Sequence, residues 1–333
     1  MSDTEQATDW RSQADDGLVD AVEAAFPDRS VSGLAGTGPS WNDQNQTVHV
    51  EFADGETAFL KVASDGDGSR VTRECAVTDY VREHARVAVP DVLAADADCE
   101  TPYLATAPLG DHSLRRQWSE AHEDDRARLA ERVGRALAAL HDHRFDAHGH
   151  VVGGGANGLE VDEGSWTDVL VDRIDWMHTI APADRFGYYY GEVAAAVEAN
   201  RDLLDGAPAA LLHGDPAMPN CFPLAGGSVG FVDWELAHVG DPARELHRAT
   251  SLVFADADGN APAGVVDALH GGYRERAGDL PPGYGDREPV YDAVRYLGRV
   301  GFYEKWVDVV DDDPEALADR FEAEMDARLD AIR

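Results

Sequence analysis

The alternation of apolar and polar positions changes character part-way along the chain. Near the start, Leu18, Val22, Ala25 and Phe26 recur at the spacing of one helix face, which predicts a helix over 14–26. The runs "TVHVEF" and "TAFLKVA" then alternate every second residue around "ADGE", the pattern of two half-buried strands joined as a hairpin. After the turn "SDGDGS", Val71, Cys75, Thr78 and Val81 return to helical spacing and predict a helix over 70–86. "VPDVLAADADCETPYLATAPLG" reads as two more strands, so the chain up to about residue 110 composes a small sheet with one helix following the hairpin.

From residue 111 the texture is that of long amphipathic helices. "RLAERVGRALAALHDH" places Leu129, Val133, Ala136, Leu137 and Leu140 on one stripe. The same periodicity predicts helices over 165–180, 187–204, 241–255, 262–277, 288–309 and 314–332, the last with Asp313 as N-cap and Pro314 at its first position. One hairpin is expected inside this half, from "NCFPL" and "VGFVDW" joined at Gly226 and Gly227, with polar loops at both ends. The expected organisation is a helical extension over 1–29, a sheet lobe over 30–107 and a helical lobe over 108–333, an α+β chain of two lobes.

Composition narrows the partners. With 333 residues and 44% apolar content, each lobe is large enough to bury a core of its own. A net charge of −36 repels nucleic acid and anionic membrane surfaces, so neither is expected as a partner. Only Lys61 and Lys305 among the 28 basic residues are lysines, and this arginine-rich, strongly acidic balance resembles that of proteins working in concentrated salt. No run approaches the roughly 20 apolar residues of a membrane span. The N-terminus lacks a signal-peptide pattern, and Cys75, Cys99 and Cys221 are too scattered for a disulfide framework, so a cytoplasmic protein is expected.

Chemistry concentrates at the second hairpin. In "LLHGDPAMPNCF", His213, Asp215 and Asn220 share one loop, and "VGFVDWE" brings Asp233 to the other strand's end. Two aspartates and an amide oxygen on short loops offer one proton acceptor and two hard oxygen ligands of the kind Mg²⁺ takes while sharing substrate phosphates. Phosphoryl transfer needs little else besides a cation on the phosphates. Lys61, at the end of the apolar run "AFL", is a candidate for that cation, and Glu74 on the following helix is placed to hold it.

A Gly-containing hairpin, a strand Lys61, a helix Glu74, "HGDPAMPN" and "VDWE", in that order, resemble the aminoglycoside phosphotransferase and choline kinase family, relatives of the protein kinases. The resemblance runs from about residue 30 to 250 and is most specific at H-G-D-x4-N followed by D-W-E. It implies a two-lobed protein-kinase-like fold with a nucleotide, ATP or GTP, and Mg²⁺ between the lobes, and a small-molecule hydroxyl as phosphate acceptor. By the same resemblance Asp215 is the catalytic base, Asn220 and Asp233 hold the metal, Lys61 meets the α- and β-phosphates, and Glu74 is its ion-pair partner. "PYLATAPLG" falls at the interlobe hinge, where Thr106 and Ala107 would meet the adenine. The loop "GLAGTGPSWNDQNQ", with Ser40 and Asn45, stands where the family covers the phosphates, and is longer than usual. His213 would brace the catalytic loop.

Two other classes of function stay open on the sequence: a catalytically silent relative that only binds nucleotide, and a metal hydrolase built on His141, His143, His148 and His150. The histidines show no H-E-x-x-H frame, and His141 continues the apolar face of Leu137 and Leu140. "DADGNAPAGVVD", over 256–267, grazes a calcium-loop pattern but lacks the glycine at its sixth position and the glutamate at its twelfth. Trp166, Trp176 and Trp306 are expected to pack between helices, or to line the acceptor pocket.

Overall fold

A computed structural model of the protein describes residues 10–37, 44–254, 261–307, 310 and 313–333. In the N-terminal lobe, helix α1 (Asp16–Ala25) starts where the Asp15 carboxylate accepts from Leu18 N–H at 2.8 Å. Strands β1 (Val31–Gly36), β2 (Asn45–Phe52), β3 (Thr57–Ala63), β4 (Val92–Asp96) and β5 (Tyr103–Thr106) form an antiparallel sheet in the order β1-β2-β3-β5-β4. Val48, Val50 and Phe52 from β2 and Ala58, Leu60 and Val62 from β3 point to one face, where they bury Leu18, Val22 and Phe26 of the α1 segment. Because side chains alternate along a strand, Lys61 between Leu60 and Val62 must point the other way, towards the second lobe.

Helix α2 (Ser69–His84) crosses that second face and packs Val77 and Val81 into a core belonging mainly to the C-terminal lobe. Glu74, one turn before Val77 and Thr78, shares this inward stripe and is buried. Arg73 pins the same turn across the lobes, donating to Val151 O at 2.7 Å and Glu235 O at 2.8 Å.

The C-terminal lobe comprises α3 (Leu114–Glu120), α4 (Glu123–His141), β6 (His148–Gly155), β7 (Gly158–Gly164), α5 (Trp166–Ile180), α6 (Tyr188–Ala199) and α7 (Arg201–Leu204). It continues with β8 (Ala210–Leu212), β9 (Cys221–Pro223), β10 (Val229–Phe231), β11 (His238–Gly240), α8 (Pro242–Arg248), α9 (Ala263–Ala277), α10 (Tyr284–Val300), α11 (Tyr303–Val307) and α12 (Pro314–Ile332). Helices α4 and α9 cross closely at two glycines. A Cβ on Gly134 would stand 2.0 Å from Leu269 O, and one on Gly272 would stand 1.9 Å from Glu131 O. A second core gathers α5, α6, α10 and α12 around Trp166, Tyr190, Tyr291 and Phe321.

The expected β9–β10 hairpin is present, but the lobe carries more sheet than its apolar periodicity announces. A four-stranded antiparallel sheet in the order β7-β6-β11-β8 holds the start of the loop that carries Asp215. Strand β6 begins at His148 and includes His150, so the histidine cluster disperses. His141 ends α4, bonded to Tyr273 OH and Glu245 at 3.0 Å each, while His150 faces Asp172 at 3.2 Å. The helix expected over 288–309 starts earlier, at Tyr284, takes Pro289 inside it, and breaks before α11. Trp166 packs fully buried and donates from its indole N–H to Tyr291 OH at 2.9 Å. Among the described residues no helix is long and apolar enough to cross a membrane.

Candidate active site

The loop that carries Asp215 leaves β8 at His213, whose ring is buried between Phe231 and Trp234, with centroids at 5.3 and 4.4 Å. Its Nε2 donates to Val232 O at 3.0 Å and its Nδ1 accepts from Asp215 N–H at 3.2 Å, an arrangement that uses the neutral ring as one donor and one acceptor. Burial holds its pKa below the ordinary histidine value, which keeps that tautomer in place. Next to it, Gly214 sits at φ +86°, and a Cβ there would fall 2.1 Å from Leu236 O, so only glycine fits between the histidine and the aspartate. Glu245 on α8 closes the loop from behind, accepting from His213 N–H at 3.0 Å, Gly214 N–H at 2.6 Å and His141 at 3.0 Å. Burial pushes this carboxyl up, and these donors outweigh it, leaving the pKa below the usual glutamate value.

Asp215 projects from this braced loop. Its Oδ1 accepts from Arg248 at 2.8 Å, and its Oδ2 and backbone oxygen accept from Asn220 Nδ2 at 3.3 and 3.1 Å. With the amide nitrogen so used, the Asn220 side-chain oxygen is the end that can meet a cation. Strand pairing of Cys221 with Phe231 and the Val232 N–H donated to Asn220 O at 3.0 Å set Asn220 beside the end of β10, where Asp233 follows. Among the described residues Asp233 is the one non-glycine residue with positive φ, 68°, a conformation aspartate tolerates better than most.

Lys61 joins the two lobes. Its ammonium contacts Asp233, Glu74 at 2.8 Å and Glu235 at 3.3 Å, and Glu74 also accepts from Trp234 N–H at 3.1 Å. Three carboxylates thus compete for one ammonium. Burial opposes the Lys61 charge, but Asp233, Glu235 and Glu74 together hold its pKa well above the ordinary value. Burial raises Glu74 and Glu235, and the Lys61 charge offsets this only in part; for Asp233 the lysine prevails and the pKa is lowered. One oxygen from each carboxylate lies within 4.8 Å of the others. The negative charge left over after Lys61, beside the Asn220 oxygen, fits a hard divalent cation.

The structure brings Lys61, Glu74, Asn220, Asp233 and Asp215 together where the lobes meet. Thr106 ends β5, and the Ala107 N–H is donated to Asp91 O at 2.8 Å, so a base at that position would meet the Ala107 carbonyl. Ser40 and the Asp256, Asp258 and Asn260 loop lie outside the described residues. Asn45, on β2, donates to Glu235 at 2.5 Å instead of standing free between the lobes.

The sequence matches the model of the phosphotransferase enzyme family, APH, over residues 37–278. The chain belongs to this phosphotransferase family. A thermostable mutant of aminoglycoside phosphotransferase APH(4)-Ia in its apo form superposes with a TM-score of 0.60 at 17% identity, covering 94% of this chain and 98% of that one. A putative fructosamine-3-kinase from Thermobifida fusca YX-ER1 gives 0.58 at 19% identity over 94% and 97% of the two chains. APH(2")-IIia in complex with GDP and kanamycin gives 0.57 at 9% identity over 93% and 97%. At these identities the likeness is one of fold, and it makes this phosphotransferase protein-kinase-like. No curated protein matches the sequence significantly.

The sequence reading gives no role to four residues at this candidate site. Glu235 belongs to the "VDWE" motif, whereas Arg73, Glu245 and Arg248 reach the site through helix faces and backbone atoms that carry no motif.

Proposed function

We propose that this protein is a small-molecule kinase that transfers the γ-phosphate of ATP or GTP to a hydroxyl of a metabolite. The observation that carries this reading is Lys61, held by Glu74 and Asp233 across the lobes and facing the loop on which Asn220 bonds Asp215. The nucleotide lies between the lobes, its base at Thr106 and Ala107, its phosphates on Lys61. Mg²⁺, held by Asn220 and Asp233, supplies neutralisation of phosphate charge when bound. Asp215 orients the acceptor hydroxyl and takes its proton as the oxygen–phosphorus bond forms and the bond to the departing nucleoside diphosphate breaks. Related structures solved with ADP and hygromycin B, and with GDP and kanamycin, support a nucleotide paired with a small acceptor.

A peptide acceptor fits poorly, because only "WELAHVG" separates Asp233 from the start of the helix cap at Asp241, too short for a peptide-docking segment. Three free cysteines accord with a reducing, cytoplasmic setting. The test is nucleoside diphosphate release from Mg-ATP and Mg-GTP over a panel of hydroxyl acceptors, with Asp215→Asn as control. Acceptor-dependent release that Asp215→Asn leaves intact would overturn the assignment of the base.

A further inference from the structure

In a protein of net charge −36, arginines gather beside Asp215. Arg173 stands on α5, and Arg244 and Arg248 lie one turn apart on α8. Arg248 is the residue paired with Asp215. Arg244 is only 7% exposed, and its guanidinium meets the His238 ring at 3.3 Å. Neither Arg173 nor Arg244 pairs with a carboxylate among the described residues. The acids nearest in sequence to Arg244 are engaged elsewhere: Glu245 by the catalytic loop, Asp241 by Arg287 and Tyr291. The Nε atoms of Arg173 and Arg248 are buried without a hydrogen-bond partner. Alongside α10, Arg244 and Arg248 border a narrow crevice, with only about 10 Å³ of free volume, together with Met177, His247, Tyr291 and Arg295.

A buried guanidinium without an anion is unfavourable, and neighbours of like charge make it worse. Burial, followed by Arg244, Arg248 and Arg73, pushes the Arg173 pKa down to about 9, with Asp215 acting the other way. Burial and Arg248 likewise bring Arg244 down to about 10. The fold holds these cations together at an energetic cost that an anion would relieve.

We propose that the acceptor carries, besides its hydroxyl, an anionic group, phosphate or carboxylate, bound at the mouth of this crevice by Arg244 and Arg248 of α8 and by Arg173, one turn before Met177 on α5. This rests on the kinase reading of the site and adds the charge of its substrate. The same anion competes for Arg248 and so releases the Asp215 carboxylate to receive the hydroxyl proton. The acidic surface repels anions elsewhere, which confines their binding to this crevice.

The experiment is calorimetric, at the lowest salt that keeps the protein folded. Mg-AMP-PNP is first titrated to saturation, and glycerol 3-phosphate, glycerate, glycerol and kanamycin are then titrated separately into the filled protein. Failure of the nucleotide to bind counts against the kinase reading itself. With the nucleotide bound, saturable binding of glycerol 3-phosphate or glycerate, absent for glycerol and kanamycin, is expected. The phosphate and carboxylate arms tell which anion is preferred. Arg244→Met and the more exposed Arg173→Met should each weaken anion binding at least tenfold, with Arg173→Lys recovering part of it. Absence of anion binding, equal binding of glycerol or kanamycin, or unchanged affinity in a folded variant overturns the proposal.

Discussion

Asp215 and Asp233 flank the same hairpin, yet their partners differ: Arg248 and Asn220 for the first, Lys61 for the second. Their losses should therefore differ. Asp215→Asn is expected to keep Mg-nucleotide affinity near that of the unaltered protein while turnover falls by about 10²- to 10⁴-fold, the usual contribution of a general base. Asp233→Asn should lower both, and calorimetry with turnover assays on the two variants checks the split. Lys61→Met should weaken nucleotide binding severely, whereas Lys305→Met, on α11 beside Phe302, should leave it unchanged; equal effects would remove Lys61 from the phosphates. Lys61 was legible because strand alternation and lysine scarcity both single it out. Arg248 and Glu245 were not, because what they touch is brought near by tertiary packing, 33 residues away for Arg248 and Asp215.

At the scale of elements, long amphipathic helices and the first hairpin were readable from periodicity, and most of their ends fall within a few residues of the structure, but the α-helices expected to run to 255 and 309 end at Arg248 and Val300. The β7-β6-β11-β8 sheet was not. Strand β6, "HGHVVGGG", is rich in glycine, and β8 and β11 are three residues each, too short to show a period of two. The α4–α9 crossing depends on the smallness of Gly134 and Gly272. Gly134→Ala drives a methyl into the Leu269 carbonyl, and destabilisation at or above the usual overpacking range of about 1–3 kcal/mol is expected by denaturant titration.

Helices α8 and α10 offer a second test. His247 is 3.6 Å from both Glu288 and Asp292. Burial lowers its pKa and the two carboxylates more than restore it, so the folded value lies above the ordinary 6.5. Its contribution is thus fully present below the unfolded value and is lost as pH rises through the folded one. The melting-temperature difference between the protein and His247→Gln should shrink from pH 6 to pH 9; a constant difference would deny that Glu288 and Asp292 stabilise a charged His247.

Across the whole molecule, the charge of −36 predicts a dependence on salt. Carboxylates repel over a Debye length of about 10 Å at 0.1 M and about 3 Å at 1 M, so the melting temperature should rise over that range of KCl. An unchanged value would show that the acidity is tolerated without screening. The total charge was plain in the composition, but its distribution was not: arginines drawn from α2, α5 and α8 converge only when those helices pack.

The placement of α1 bears on how this protein can be handled. The family match spans 37–278, yet α1 roofs the sheet that carries Lys61, and α10 and α12 build much of the core behind Asp215. A fragment trimmed to the matched residues would lay bare Val48, Val50 and Leu60 at one end and Trp166 and Tyr190 at the other. Expression trials cut at those borders should yield aggregates, while the segments flanking the match behave as integral parts of the two lobes.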